Sequence, residues 1–241
     1  MQVAVQGAEA LVKKNKKDQA LQAYRKAFAA VRDLQQAKEV AAGLHKLGAT
    51  EVSVARHLGF LTDWYVIGPF DARNLKGFKT VYPPEKKIDL AAEFPGKEKK
   101  VRWKRYQVRE PPPSAKGPHV ALVNLREALG SADDAVAYAY TEITAPSGRE
   151  VEFRGAADDN FTVWVNGKKE FAFEEYRNGV RLDRHRFRVR LRAGKNSVLV
   201  KVCQYLANSE PNWEFLLRVV DSTGKGIGFR SALPPVPKSK K

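Results

Sequence analysis

Arginine recurs at every second position from residue 184 to residue 192, as Arg184, Arg186, Arg188, Arg190 and Arg192. On an extended strand, alternate side chains share one face and lie about 6.8 Å apart. The planar guanidinium group pairs well with carboxylate, sulfate and phosphate. This spacing predicts a cationic surface that several groups of an anionic chain could contact together.

The same five arginines have a second interpretation, a charged ladder neutralised by a neighbouring strand. Glu170 and Glu174 alternate in the preceding segment, and opposite charges on facing strands stabilise a sheet modestly. The net charge of +16 favours encounters with polyanions. Both interpretations therefore stay open at this point.

Asp158, Asp159 and Asn160 place three oxygen-bearing side chains where a strand begins. Such oxygens suit calcium if backbone carbonyls and another loop complete the coordination, although no EF-hand spacing is present. An Asx-rich turn that bonds local amide groups is the alternative, and direct ligand contact is a third. The sequence thus makes calcium a candidate cofactor without requiring it.

Aromatic and amide side chains form two further candidate contacts with a ligand. Trp164 alternates with valines, so its indole is either packed in the sandwich or exposed as a platform on which a sugar could stack. Tyr205, Asn208 and Asn212 fall in a predicted loop, where they could form the rim of a binding site.

The residues that could support catalysis are not arranged for it. Adjacent carboxylates such as Asp158 and Asp159 project to opposite sides of an extended chain, unlike the pair that flanks a glycosidic bond. The four histidines are dispersed, and Cys203 is the single cysteine. No phosphate-binding glycine loop, H-E-x-x-H or G-x-S-x-G motif occurs. We therefore predict a protein without catalytic residues.

Helices are predicted first along the chain. Apolar residues recur at helical spacing between Asp18 and Leu47, with Asp18 placed to cap the start and Gly48 to end the helix. One long helix and a hairpin of two helices both fit. A third short helix is predicted from Thr50 to Leu58.

From Trp64 the apolar period changes to two, which is typical of strands. Asn166-Gly167 suits a hairpin turn. The stretch from Tyr82 to Pro118 is predicted to be largely loop, with one strand near Val101 to Val108. The predicted fold is an antiparallel β-sandwich of the jelly-roll type with an N-terminal α-helical segment. Its predicted parts are helices over residues 1–59, the sandwich over 60–232 and a flexible basic tail over 233–241.

Two sequence segments in the strand region resemble a known fold family. Residues 157–168 (ADDNFTVWVNGK) and 191–202 (LRAGKNSVLVKV) resemble galactose-binding-like jelly rolls, which implies a sugar-binding accessory domain. Asp158-Asp159 is similar to the double aspartate of protective-antigen-type sugar-binding domains, some of which bind calcium and sugar, although Asn160 follows where those domains commonly have Gly or Ser. The helices loosely resemble a tetratricopeptide-type pair, and Trp64 to Phe70 resembles the first strand of jelly rolls in bacterial surface or secreted proteins.

Together these features predict a noncatalytic carbohydrate-binding domain that prefers anionic glycans and belongs to a larger secreted or surface polypeptide. A structural or protein-docking role is one alternative, and nonspecific binding of polyanions or nucleic acid is another. Specific recognition of nucleic acid is not expected, because the basic residues are spread along the chain without a recognition motif. No apolar stretch is long enough to predict a membrane span.

Overall fold

The computed structural model describes residues 2–117, 120–176, 179–205, 212–231 and 233–235. The helices are α1 (Gln2–Lys13), α2 (Lys17–Ala30), α3 (Leu34–Lys46), α4 (Val54–His57), α5 (Pro83–Lys86) and α6 (Leu125–Leu129). The strands are β1 (Asp63–Asp71), β2 (Glu93–Pro95), β3 (Lys100–Arg102), β4 (Lys104–Gln107), β5 (Val123–Asn124), β6 (Ala135–Ala145), β7 (Arg149–Asp158), β8 (Asn160–Val165), β9 (Lys168–Phe173), β10 (His185–Leu191), β11 (Gly194–Gln204), β12 (Glu214–Val220) and β13 (Arg230–Ser231). The chain is thus mainly β with helices in front, as predicted. Within these residues, no helix is both long and apolar enough to cross a membrane.

Two antiparallel sheets face each other. One has the order β4-β1-β6-β11-β8-β9, with β13 also paired to β6, and the other has the order β10-β7-β12-β5. Their inner faces share an apolar core that includes Val163, Val200 and Phe215, each fully buried. The period-two pattern directs these side chains to the inside, and burial of this apolar surface holds the sheets together.

The turn between β8 and β9 forms as predicted. Asn166 and Gly167 have φ angles of 52° and 79°, the positive values that a two-residue type I′ hairpin requires at both positions. The side chain of Asn166 also donates to Asn196 Oδ1 at 2.8 Å. The turn is therefore tied to the start of β11.

The helical segment is a hairpin of α2 and α3, preceded by α1. The break comes at Val31, which is extended, and Asp33 then caps α3 by accepting a hydrogen bond from the Gln36 amide at 2.9 Å. The prediction that Asp18 caps the preceding helix is wrong, because α2 begins at Lys17 and Asp18 lies in its first turn. An N-terminal cap, and not Gly or Pro, marks the break between the two helices.

The helices pack on the sandwich. Ala156 of β7 and Leu216 of β12 face outward from the smaller sheet and join the apolar cluster of the helices, with Val54 and Leu58 among its members. The ammonium group of Lys38 donates to the Ala115 carbonyl at 2.8 Å. Apolar contact and a buried cation thus join the two parts.

The segment from residue 72 to residue 103 covers the outer face of the larger sheet. Within the stretch from Tyr82 to Pro118, which is predicted to be largely loop, the described residues up to 117 contain only the short elements α5, β2, β3 and β4. The predicted strand near Val101 to Val108 is divided into β3 and β4 at Trp103. Beneath the covering segment, Lys201 is fully buried and pairs with Glu85 at 2.8 Å. Tyr65 donates to the Pro234 carbonyl at 2.7 Å, so the start of the predicted tail is bound to this sheet, while residues 236–241 lie outside the described residues.

Candidate anion-binding face

Three of the five alternating arginines share one exposed surface. Arg186, Arg188 and Arg190 project outward from β10 and are exposed, while Val189 and Leu191 project into the core. We call these three side chains the arginine face. β10 is an edge strand of the smaller sheet, and the three exposed side chains can be approached from the outer side of that sheet.

The first and last arginines of the alternating series, Arg184 and Arg192, form contacts with nearby residues of the chain. Arg184 lies before β10 and forms an ion pair with Glu175. Arg192 lies after β10, and its Nε donates to the Lys195 carbonyl at 3.0 Å. The predicted surface of five arginines is therefore wrong at both ends, because the strand includes only the central three.

The neighbouring strand is also different from the predicted one. β10 pairs with β7, so Arg188 and Arg190 lie across from Glu152 and Glu150. Glu170 and Glu174 do not face the arginines, because Glu170 belongs to β9 in the other sheet and Glu174 follows that strand.

The carboxylates of β7 neutralise the arginine face only in part. Glu152 accepts from Arg154 Nε at 2.5 Å, whereas Glu150, itself 63% exposed, comes only within 3.7 Å of Arg188. Among the described residues, neither Arg186 nor Arg190 forms an ion pair. Two guanidinium groups of the arginine face are therefore free, and the third is weakly held.

Two further arginines of the same sheet face are occupied. Arg218 Nε donates to Asp183 Oδ1 at 2.7 Å, and Arg154 Nη1 donates to Asp183 Oδ2 at 3.2 Å. Burial alone would raise the pKa of Asp183, but the hydrogen bonds and charge of Arg218 and then Arg154 outweigh it and hold the pKa below its usual value. Arg218 also donates to the Leu58 carbonyl at 3.3 Å, so this group joins the helices to the sheet.

A shallow cleft of about 240 Å³ adjoins the arginine face. Side chains of both signs line it, namely Glu150, Glu152, Arg154, Arg188 and Asp221. The carboxylates oppose deep entry of an anion into this cleft. An anionic ligand would therefore lie along the exposed arginines and not inside the cleft.

Two of the side chains proposed for calcium, those of Asp159 and Asn160, accept hydrogen bonds from backbone amides of other segments. Asp159 Oδ2 accepts from the Tyr205 amide at 2.9 Å, and Asn160 Oδ1 accepts from the Glu175 amide at 2.7 Å. The peptide between Asp158 and Asp159 is cis. Among the residues that the structure describes, no group of three or more His, Cys, Asp or Glu could hold a metal. These two amides lie 46 and 15 residues away along the chain, so the two bonds are not those of the predicted local Asx turn. The Asx turn and calcium both stay predictions.

The aromatic candidates are mostly packed. Trp164 is only 8% exposed and lies under the segment that covers the larger sheet, with Lys169 Nζ 5.5 Å from its ring centroid. It therefore offers no exposed platform for a sugar. The Tyr205 ring packs edge-on against Tyr176 at 5.6 Å. Asn212 is exposed, and Asn208 lies outside the described residues.

An exposed aromatic that the sequence analysis missed is Phe173, at 38% exposure. It ends β9, and the ring of His185 lies 4.6 Å from it. The guanidinium of Arg184 lies 5.8 Å from the ring centroid. The sequence carries no signal for this exposure, because the position of β9 at the edge of its sheet depends on long-range strand pairing.

Cys203 is unsuited to nucleophilic chemistry. Its side chain is buried, and burial raises the pKa of the thiol to about 12. The thiol therefore stays protonated at neutral pH, and the thiolate is the reactive form.

Comparison with known proteins finds no matching family model and no matching curated protein. Similar solved structures include the PA14 domain of the MpAFP antifreeze protein, at 10% identity over 43% of this chain and 55% of that chain, with a TM-score of 0.30. An anti-sigma factor domain-containing protein from Clostridium clariflavum matches at 15% identity over 71% of this chain and 48% of that one, with a TM-score of 0.34. A β-glucuronidase of Faecalibacterium prausnitzii matches at 12% identity over 68% of this chain and 31% of that one, also with a TM-score of 0.34. This chain thus spans about half, or less, of the length of these proteins, and no function follows from likenesses at these values.

Proposed function

We propose that this protein is a noncatalytic β-sandwich domain that binds an anionic glycan along the outer face of β10. The observation that supports the proposal most is the exposure of Arg186, Arg188 and Arg190 on one strand face without full neutralisation. The resemblance of residues 157–168 and 191–202 to galactose-binding-like jelly rolls favours a sugar polymer over other polyanions.

The arginine face suits a repeating ligand better than a single small anion. Successive guanidinium groups project from positions about 6.8 Å apart on the strand, so a chain with sulfate or carboxylate groups can contact several of them together. Each exposed pair contributes only about 0.2–1 kcal/mol. Useful affinity therefore requires simultaneous contacts, and it should fall as salt rises.

We further propose that the domain acts as an accessory part of a larger secreted or surface protein, with calcium at Asp158, Asp159 and Asn160 as a separate hypothesis. In this arrangement the helices connect the sandwich to the rest of the polypeptide. Calcium binding would require Asp159 and Asn160 to release or share their present backbone hydrogen bonds.

A polymer panel tests the proposed function. Heparin, hyaluronan, dextran and single-stranded DNA would be immobilised and probed in about 0.1 M and about 1 M NaCl, where the Debye length falls from about 10 Å to about 3 Å. Each titration would be repeated with calcium and with EDTA. We expect salt-sensitive binding to an anionic glycan that exceeds binding to DNA and to dextran.

Other outcomes of the panel would overturn the proposal. Equal retention on heparin and DNA would indicate nonspecific polyanion binding. No binding to any of the four polymers would favour the structural or docking role. Binding to dextran that requires calcium would move the site to Asp158 and Asp159.

A further inference from the structure

An open cleft of about 680 Å³ lies where the helical segment meets the sandwich. Its walls come from the α4 region, from the adjoining ends of β1 and β4, and from the segment after β12. Small-molecule sites commonly occur at such junctions and have volumes of about 300–1,000 Å³. The cleft is therefore large enough for a small organic molecule.

One wall is made rigid by Glu110. Its Oε2 accepts from Ser53 Oγ at 2.5 Å, and its Oε1 accepts from the amides of Val54 and Ala55 at 2.7 Å and 3.0 Å. These amides begin α4, where helical N–H groups have no partner within the helix. Glu110 thus uses both oxygens to fix α4 against the sandwich, and its negative charge remains at the cleft.

The remaining polar groups of the cleft include both hydrogen-bond donors and acceptors. Arg56 and Gln107 are exposed, and in the described part of the chain their side chains have no hydrogen-bond partner. Asp63 is half-buried and accepts from Thr62 Oγ1 at 3.0 Å. The side-chain amide of Gln107 can both donate and accept hydrogen bonds.

Two phenylalanines supply apolar surface to the same cleft. Phe60 is 7% exposed and carries the Arg218 guanidinium 5.7 Å from its ring centroid. Phe229 is half-buried and packs at the edge of the sandwich core. Phe229 is therefore the more exposed of the two phenylalanines.

From this combination we propose that the junction cleft is a second ligand site, which binds an uncharged, hydroxyl-rich ring such as a neutral sugar unit. A hydroxyl group both donates and accepts, so it can pair with Gln107 and with Arg56. The C–H face of the ring would lie against Phe229. A net anion would meet Asp63 and Glu110, and a net cation would meet Arg56, so the mixed charges select a neutral molecule.

This site is independent of the arginine face. The two share no residue, and the neutral ligand makes no use of Arg186, Arg188 or Arg190. Binding at the junction cleft should therefore persist at high salt, whereas binding at the arginine face should not.

Nuclear magnetic resonance titrations with lactose, cellobiose and methyl mannoside at millimolar concentrations test the inference. We expect one of these probes to shift the side-chain amide signals of Gln107 and the ring signals of Phe229, in about 0.1 M and about 1 M NaCl alike. Gln107→Ala removes one exposed side chain, so the fold is retained, and the Kd should rise about 2- to 12-fold, as expected for one net hydrogen bond.

Matched controls separate the two sites. Gln22→Ala removes an exposed glutamine from α2 and should leave the Kd unchanged, as should Arg188→Gln. Absence of shifts at Gln107 with all three probes overturns the inference, and so does an unchanged Kd in Gln107→Ala. Loss of neutral-sugar binding in Arg188→Gln would show one shared site instead of two.

Discussion

Removal of the arginine face should weaken binding to a sulfated glycan without affecting the fold. The perturbation is the triple variant Arg186→Gln, Arg188→Gln and Arg190→Gln. All three side chains are exposed on an edge strand, and glutamine keeps part of their length and polarity. Surface substitutions of this kind usually change the free energy of unfolding by less than about 0.5 kcal/mol.

The expected magnitude follows from the contacts that the face can make. Three exposed pairs at about 0.2–1 kcal/mol each contribute about 0.6–3 kcal/mol, which corresponds to a rise in Kd of about 3- to 150-fold. Arg188 contributes at the lower end, because Glu150 lies 3.7 Å away and must be displaced or shared. Arg186 and Arg190 should account for most of the effect.

Isothermal titration calorimetry with a heparin oligosaccharide measures this change. The matched control is Lys14→Gln, Lys16→Gln and Lys17→Gln, which removes the same charge from exposed positions of the helical segment. The control should retain most of the affinity, and its Kd should keep the salt dependence of the unmodified protein. An equal loss in both triple variants would show that net charge, and not the arginine face, determines binding.

Three further predictions concern the buried groups. Lys201→Met leaves the buried carboxylate of Glu85 without its cation, so it should lower the free energy of unfolding by about 3–5 kcal/mol in urea titrations. The double variant Lys201→Met, Glu85→Leu should recover most of this loss. A cost below about 1 kcal/mol for the single variant would contradict the prediction. Leu216→Ala should cost about 2–5 kcal/mol, because Leu216 is 1% exposed where the helices pack on the sheet, and an unchanged urea midpoint would show that this contact is absent. Burial holds the pKa of His57, and likewise that of His185, below the usual 6.5, so the unfolded chain takes up these protons first and stability should fall as the pH drops from about 7.5 to about 5.5. His57→Gln should reduce that loss, and an identical pH dependence in the variant would refute the assignment.

Local features of the fold could be predicted from the sequence because their causes are local. Asn166 and Gly167 adopt positive φ angles that few other residue pairs adopt readily. The alternation around Val163 and Val200 likewise places these side chains in the core. Each of these predictions depends on residues within a few positions of one another.

The candidate site depends on pairing between strands that cannot be predicted from the local sequence. Glu170 and Glu174 are closer in sequence to the arginines than Glu150 and Glu152 are, yet β10 pairs with β7. The alternation around Trp164 showed that one strand face differs from the other, but not that a proline-rich segment far earlier in the chain covers the outer face. The carboxylates that face the arginines and the segment that covers Trp164 are both distant in sequence from the residues they contact, so local sequence patterns do not predict these contacts.

The most direct test of the central claim is a titration of a heparin oligosaccharide into protein labelled with ¹⁵N, with the arginine Nε–H signals observed. Binding along β10 predicts that the signals of Arg186, Arg188 and Arg190 shift together, while those of Arg154 and Arg218, which are held by Asp183, move little. If instead the largest shifts fall on the helices, or are spread evenly over the basic residues, the arginine face is not the binding site.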